Sequence, residues 1–163
     1  MKVKEERVRA PIVGFDIGGT ITQATFGSNV KEPWPESFRV IKRILLEISP
    51  LAYIVSRVNE EQKTRAINWL YDNDVYAKTG LLKDNVFWCK ERHEKGPIVQ
   101  TLGITHFIDD RPEVMKYLPL DTVKIMINPD PVHLYEHCNL LRNYTVCKDW
   151  LEIEKFMFDK RRP

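Results

Sequence analysis

Five side chains combine a type that can handle a divalent cation or an anion with a place at the end of an apolar run or the start of a helix: Asp16, Ser56, Lys95, Asp109 and Asp110. Asp16 follows the apolar run Ile12 to Phe15 and opens the stretch D-I-G-G-T. Gly18 and Gly19 have no side chains, so the backbone there can turn sharply and bring its N–H groups close to an anion. A carboxylate at the carboxyl end of a buried strand, beside such a turn, suits a nucleophile or a metal ligand. It equally suits a turn cap. Ser56 follows L-A-Y-I-V, and Asp109-Asp110 follow T-H-F-I.

Two or three carboxylates with water suit Mg²⁺. A lysine and a hydroxyl beside that ion suit a phosphoryl group. Without the cation the carboxylates would repel one another and raise each other's pKa. Each residue also has a plainer use. Ser56 can cap the turn after its strand, and the acidic doublet can cap the next helix and face its dipole. Arg57 and Arg111 flank the set and could assist with an anion. Lys90 is the alternative to Lys95, but Lys95 stands at a helix start and Lys90 in a solvated stretch.

For these residues to meet, strands must deliver them to one edge. The sequence alternates short apolar runs with helical periodicity, the pattern of a parallel sheet covered by helices on both faces, an α/β fold of three layers. Expected strands are Ile12 to Phe15, Leu51 to Val55, Val75 to Ala77, Val86 to Trp88, Thr105 to Ile108 and Thr122 to Ile127. Helices are expected over about Glu36 to Ile48, Asn59 to Asn73, Gly96 to Leu102, Leu134 to Leu141 and Trp150 to Phe158. Phe38, Ile41, Leu45 and Ile48 fall on one face of the first, and Ala66, Ile67 and Leu70 on one face of the second. Asn59 and Gln62 fit a capping box. Between Asp16 and the first helix, β-formers around Gly27-Ser28-Asn29 predict a small hairpin over about residues 21–32, above Asp16. Pro33-Trp34-Pro35 stiffens its return. Trp34 could stack on a substrate or fill the core.

The chain has 163 residues, 43% of them hydrophobic and 29% charged, which predicts one soluble, folded domain. A net charge of +2 gives no case for nucleic acid or an anionic membrane as partner. The end Lys160-Arg161-Arg162 reads as a solvated tail. No apolar run is long enough to cross a bilayer, and the charged N-terminus does not read as a secretory signal. Cys89, Cys138 and Cys147 make an odd count without metal spacing, as expected of reduced, buried thiols in a cytoplasmic protein. His133 and His137 stand four apart but lack the neighbouring glutamate of a zinc motif, so they read as a helix surface.

The ordered set F-D-I-G-G-T-I-T, I-V-S-R, K-G-P-I-V-Q-T-L-G-I and F-I-D-D-R-P-E-V resembles the haloacid dehalogenase-like (HAD) hydrolases over about Ile12 to Val114. The resemblance implies a Rossmann-like parallel sheet with the first strand near its centre. It implies phosphoryl transfer in which Asp16 is the nucleophile and forms an aspartyl-phosphate. Ser56 and Lys95 would hold the phosphoryl oxygens of a phosphorylated substrate. Mg²⁺ would be held by Asp16, the backbone carbonyl of Gly18, Asp109 and Asp110. The hairpin would be a small flap, too short for a large cap domain. The resemblance then implies an open site that favours a macromolecular substrate or a cap supplied by a partner chain.

One position departs from the family pattern. Its phosphatases usually read D-x-D-G-T, and the second aspartate is the general acid and base. Here that position is Gly18, which can keep a carbonyl ligand but cannot move a proton. A missing acid–base group lowers a rate by about 10²- to 10⁴-fold. The sequence therefore admits a weakened phosphatase, other chemistry from Asp16, or a pseudoenzyme that keeps the Mg²⁺ and phosphate site. D-I-G-G-T also resembles the phosphate loop of the actin-like kinases. That reading leaves I-V-S-R, Lys95 and F-I-D-D-R unexplained, and the chain is short for two lobes.

Overall fold

The structure, a computed structural model, describes residues 10–27 and 32–159. Apolar residues alternate between two cores because successive strand residues point to opposite faces of a sheet. In β1 (Val13–Phe15), Val13 and Phe15 face one core. In β2 (Ala52–Arg57), Ile54 faces that core and Val55 the other. In β4 (His106–Asp109), Ile108 and Phe107 divide in the same way. In β5 (Val123–Ile127), Ile125 and Ile127 oppose Met126. With β3 (Val86–Cys89) and β6 (Tyr144–Cys147) these make one sheet, ordered β3-β2-β1-β4-β5-β6. Every pairing is parallel.

Helices cover both faces, as the alternation requires. On one lie α1 (Ser37–Glu47), α2 (Glu60–Asp72), α3 (Val75–Thr79) and α7 (Trp150–Phe158), through Val40, Ile41, Ile44, Ala66, Leu70, Val75 and Trp150. On the other lie α4 (Lys95–Thr101) and α5 (Pro112–Met115), through Val99 and Met115, with Leu134 of α6 (Pro131–His137) packed beside them. This is the expected three-layer α/β architecture, with β1 inside the sheet. No helix among the described residues is long and apolar enough to cross a membrane.

The predicted capping box opens α2: Asn59 accepts from the Gln62 N–H at 2.8 Å, and Gln62 returns the bond at 3.1 Å. Gly103, at φ 67, ends the turn after α4. Several expectations need correction. Val75 to Ala77 is the start of α3, not a strand. Asp74 adopts a left-handed φ of 53, the chain reverses, and Val75 and Thr79 bury together one helical turn apart. Three apolar residues are too few to separate a period of two from one of 3.6. The strand β6 went unpredicted. It is an edge strand in which Tyr144 and Val146 stay partly exposed, so it lacks a strong apolar run. The buried stripe of α1 is Val40, Ile41 and Ile44, with Phe38, Leu45 and Ile48 at its margin. In α2, Trp69 takes the inward place expected of Ile67. Leu151 of α7 faces solvent, while Trp150 is fully buried.

After β1 the chain turns through Ile17 to Ile21 and bridges back as an antiparallel Thr22–Pro33 pair. The Gln23 N–H donates to the Glu32 carbonyl at 2.9 Å. Ser28 and Asn29, expected at the hairpin tip, and Val30 lie outside the described residues, as do the charged N-terminus and the basic tail.

Gly96 sets how closely α4 approaches the segment after α5. A Cβ at that position would lie 2.2 Å from the Tyr117 carbonyl oxygen, which is backbone and cannot swing aside. Gly96→Ala is therefore expected to destabilise the protein by about 1–3 kcal/mol, the usual range for overpacking. Urea unfolding measures it; an unchanged midpoint would show that the segment gives way freely.

Candidate active site

The sheet's register brings the candidate residues together. Phe15 is level with Ile54 on one side and with Ile108 on the other. The next residue of β1, Asp16, is therefore level with Asp109, and Ser56 stands just beyond. The Asp16 N–H donates to the Ile108 carbonyl at 2.9 Å, which continues the ladder past the end of β1. The carboxyl ends of β1 and β4 flank the point where the strand order reverses, the place where open α/β sheets bind ligands.

Side chains then close a network. Ser56 Oγ donates to Asp16 Oδ1 at 2.7 Å. Lys95 Nζ lies 2.7 Å from Asp109 Oδ2 and 3.1 Å from Asp16 Oδ1. The Arg111 N–H donates to Asp109 Oδ1 at 3.0 Å, so both oxygens of that carboxylate are held. Lys95 and Asp109 are almost entirely buried, at 1% and 0% exposure. Asp16, Asp109 and Asp110 each offer an oxygen within 4.8 Å of the others. Asp110 lies over Gly19: a Cβ there would meet its Oδ2 at 2.3 Å, and Gly19 has a φ of 77. Glycine at 19 is thus required both by conformation and by the carboxylate above it.

Two indoles pin this turn. Trp34 donates to the Gly19 carbonyl at 3.1 Å, and Trp150, packed on Phe15, donates to the Thr20 carbonyl at 2.9 Å. Trp34 therefore packs against the core, the second of its two expected places, and ties the turn with its N–H. Gly18 lines the cavity beside Asp16, and a Cβ on it would come 3.3 Å from Thr25 Cα in the following loop.

Positive charge is scarce in the depth of the site. Burial alone would discharge Lys95, but Asp109 and Asp16 outweigh it and raise its pKa. Burial raises the Asp109 carboxyl, against the pull of Lys95. Asp110 is pushed up to about 8, first by burial, then by the charges of Asp109 and Asp16. Its Oδ1 is buried with no hydrogen-bond partner. Three carboxylates share one ammonium, and one oxygen is orphaned. That donor set fits a hard divalent cation, which takes carboxylate and carbonyl oxygens.

The structure brings all the expected residues into one place: Asp16, Gly18, Ser56, Lys95, Asp109 and Asp110. Lys90 is exposed and Lys95 is not. The cavity above Asp16 measures about 120 Å³, well below the ~300–1,000 Å³ of drug-sized sites. Arg57 and Arg111 line it as expected. Arg92, Thr25 and Gln62 also line it and went unforeseen. Arg92 sits in the short 3₁₀ turn Arg92–Glu94, three residues before Lys95, and that spacing was the available signal. His133 and His137 lie on α6, with His133 Nδ1 3.8 Å from Glu113. Cys89 and Cys147 are buried thiols, while Cys138 is only partly buried, contrary to expectation.

No protein-family model and no curated protein sequence matches the chain. Among solved structures it is similar to the cobalt-bound form of a deoxy-D-mannose-octulosonate 8-phosphate phosphatase, YrbI, from Haemophilus influenzae. The two share 12% identity and a TM-score of 0.56, over 91% of this chain and 86% of that one. At that identity the likeness shows the fold alone, the parallel α/β architecture that the sequence pattern predicted.

The raised Asp110 pKa has a consequence for stability. A carboxyl whose folded pKa exceeds its unfolded value, near 3.9, keeps its proton in the folded state where the unfolded state has lost it. In a chelator, stability should therefore fall as pH rises from about 4 through about 8. Asp110→Asn should flatten that fall and also reduce any rise in Tm on adding a divalent cation at pH 8. Thermal unfolding with and without the metal measures both; a variant that still falls as wild type does would place the proton elsewhere.

Proposed function

We propose that the protein is a Mg²⁺-dependent phosphatase of the HAD type, acting through Asp16. The observation that carries this reading is the set of three carboxylates, two buried and one partly buried, with one buried ammonium, joined to Ser56 at the same sheet edge. Asp16, the Gly18 carbonyl, Asp109 and Asp110 would hold the cation, which when bound neutralises carboxylate and phosphoryl charge. The similarity to a metal-bound sugar-acid phosphatase supports the reading at the level of the fold.

The chain's own residues have distinct parts in it. Ser56 and Lys95 both reach Asp16 Oδ1, which fixes the carboxylate and places a hydroxyl and an ammonium beside the incoming phosphoryl oxygens. Asp16 attacks phosphorus, the ester P–O bond breaks, and an aspartyl-phosphate forms. Water then hydrolyses it. Lys95 stays protonated throughout, because its two carboxylates hold the proton. Nothing at position 18 can protonate the leaving oxygen or activate that water. The reading therefore predicts activity biased to weakly basic leaving groups.

A second reading, phosphate and Mg²⁺ binding without turnover, is favoured by Gly18 and by the close Thr25 backbone above it. The actin-like kinase reading lacks such support, because the residues it leaves unused, Ser56, Lys95 and Asp109, are those packed around Asp16.

An aryl phosphate assay with Mg²⁺ separates these readings. Wild type should turn over 4-nitrophenyl phosphate and Asp16→Asn should not; equal rates in both would end the catalytic reading. Gly18→Asp should then raise hydrolysis by about 10²- to 10⁴-fold if only the proton donor is missing. Its side chain needs the loop at Thr25 to give by a few tenths of an ångström.

A further inference from the structure

Three guanidinium groups line the cavity above Asp16, and each stands at or just after the end of a different strand. Arg57 follows Ser56 at the end of β2. Arg92 stands in the 3₁₀ turn after β3, and Arg111 follows Asp110 after β4. The ion pairs they form all end on one carboxylate, Glu113, at 3.2 Å from Arg111 and 3.9 Å from Arg92. Arg57 has no carboxylate partner among the described residues; its Nε donates to the Lys90 carbonyl at 3.0 Å. That bond holds the root of the guanidinium and leaves its terminal nitrogens without a carboxylate partner among the described residues. Arg111 also faces the Asp110 carboxyl below it. Three positive charges at the rim thus stand against Glu113 and a share of Asp110, with no carboxylate among the described residues to offset Arg57, while the depth of the site has the opposite imbalance.

The two imbalances call for different groups. A divalent cation and Lys95 meet the acids below. The excess of guanidinium above calls for an anion on the substrate itself, outside the phosphoryl group. Guanidinium is the side chain suited to carboxylate or phosphate, because its planar fork offers paired N–H donors. Exposed charges of this kind also raise encounter rates with anionic ligands. A cavity of about 120 Å³ has room for little beyond a phosphoryl group, and Arg57, Arg92 and Arg111 are among the residues that line it.

We infer that the substrate is a small phosphate monoester whose leaving group carries a second anion, a carboxylate or another phosphate, gripped by Arg57, Arg92 and Arg111. The inference rests on the phosphoryl-site reading above and specifies its substrate class.

Calorimetric titration in saturating Mg²⁺ tests it with three small probes: 2-hydroxyethyl phosphate, phosphoglycolate and propane-1,3-diol bisphosphate. At least one of the two doubly anionic probes should bind ten-fold or more tighter than the hydroxyethyl ester. The tighter of them identifies the second group as carboxylate or phosphate. The double variant Arg57→Gln, Arg92→Gln should weaken that probe at least ten-fold more than it weakens the hydroxyethyl ester. Equal affinity for all three, with binding that Ser56→Ala weakens, would overturn the inference and leave the phosphoryl site standing. Failure of every probe to bind would remove the site reading and the inference with it.

Discussion

The ammonium of Lys95, buried between Asp109 and Asp16, is the contact on which the rest of the site depends. Burying an ion pair rarely adds stability, because desolvation offsets the attraction, but removing one partner leaves an uncompensated charge and costs about 3–5 kcal/mol. The fold therefore has to deliver three groups together. β1 supplies Asp16, β4 supplies Asp109, and α4 must come close enough for its first residue to reach both. Gly96 allows that approach, and the close contact at Tyr117 shows how little room remains. The sheet's register does the same for the strands, since Asp16 and Asp109 are level only while Phe15 faces Ile108.

One ammonium does not balance three carboxylates. Asp110 carries the remainder, as a carboxyl pushed up to about 8 and an oxygen with no partner. A stable protein tolerates such a group when a ligand satisfies it. The backbone around it is built to hold it there. Gly19 makes space for its carboxylate, and the carbonyls of Gly19 and Thr20 are tied by Trp34 and Trp150. Trp150 is the first residue of the last helix, so the C-terminal segment is fastened to the turn that follows the first strand.

The sequence disclosed most of the residues in the depth of this site because each follows a strong local signal. Asp16 and the acidic doublet end buried apolar runs, and Lys95 starts a helix that ends at Gly103. The sheet was legible for the same reason, except where runs were short or half-exposed. Val75 to Ala77 could be strand or helix by pattern, and packing against α1 chose helix. Tyr144–Cys147 is an edge strand, with only alternate residues inward, and left no apolar run to read. The rim of the site was least legible. Arg92 and Gln62 reach it from turns and helix starts, where only three-dimensional closure, not periodicity, sets the neighbours. The tie from Trp150 to the Thr20 carbonyl spans 130 residues and has no local signature.

The rim and Gly18 bear on the same chemical problem. A leaving oxygen develops negative charge as the ester bond breaks, and an acid normally quenches it with a proton. Gly18 has none to give, and guanidinium groups, which keep their protons in proteins, do not donate one either. They can still stabilise charge electrostatically, which matters most where water is partly excluded. A substrate carrying its own anion would be held by those guanidiniums through that second group, leaving the breaking bond to depend on the stability of the departing oxygen. Binding and bond cleavage would then be set by separate parts of the same molecule: the rim would decide which phosphate esters enter, and the acidity of the leaving group would decide which of them react.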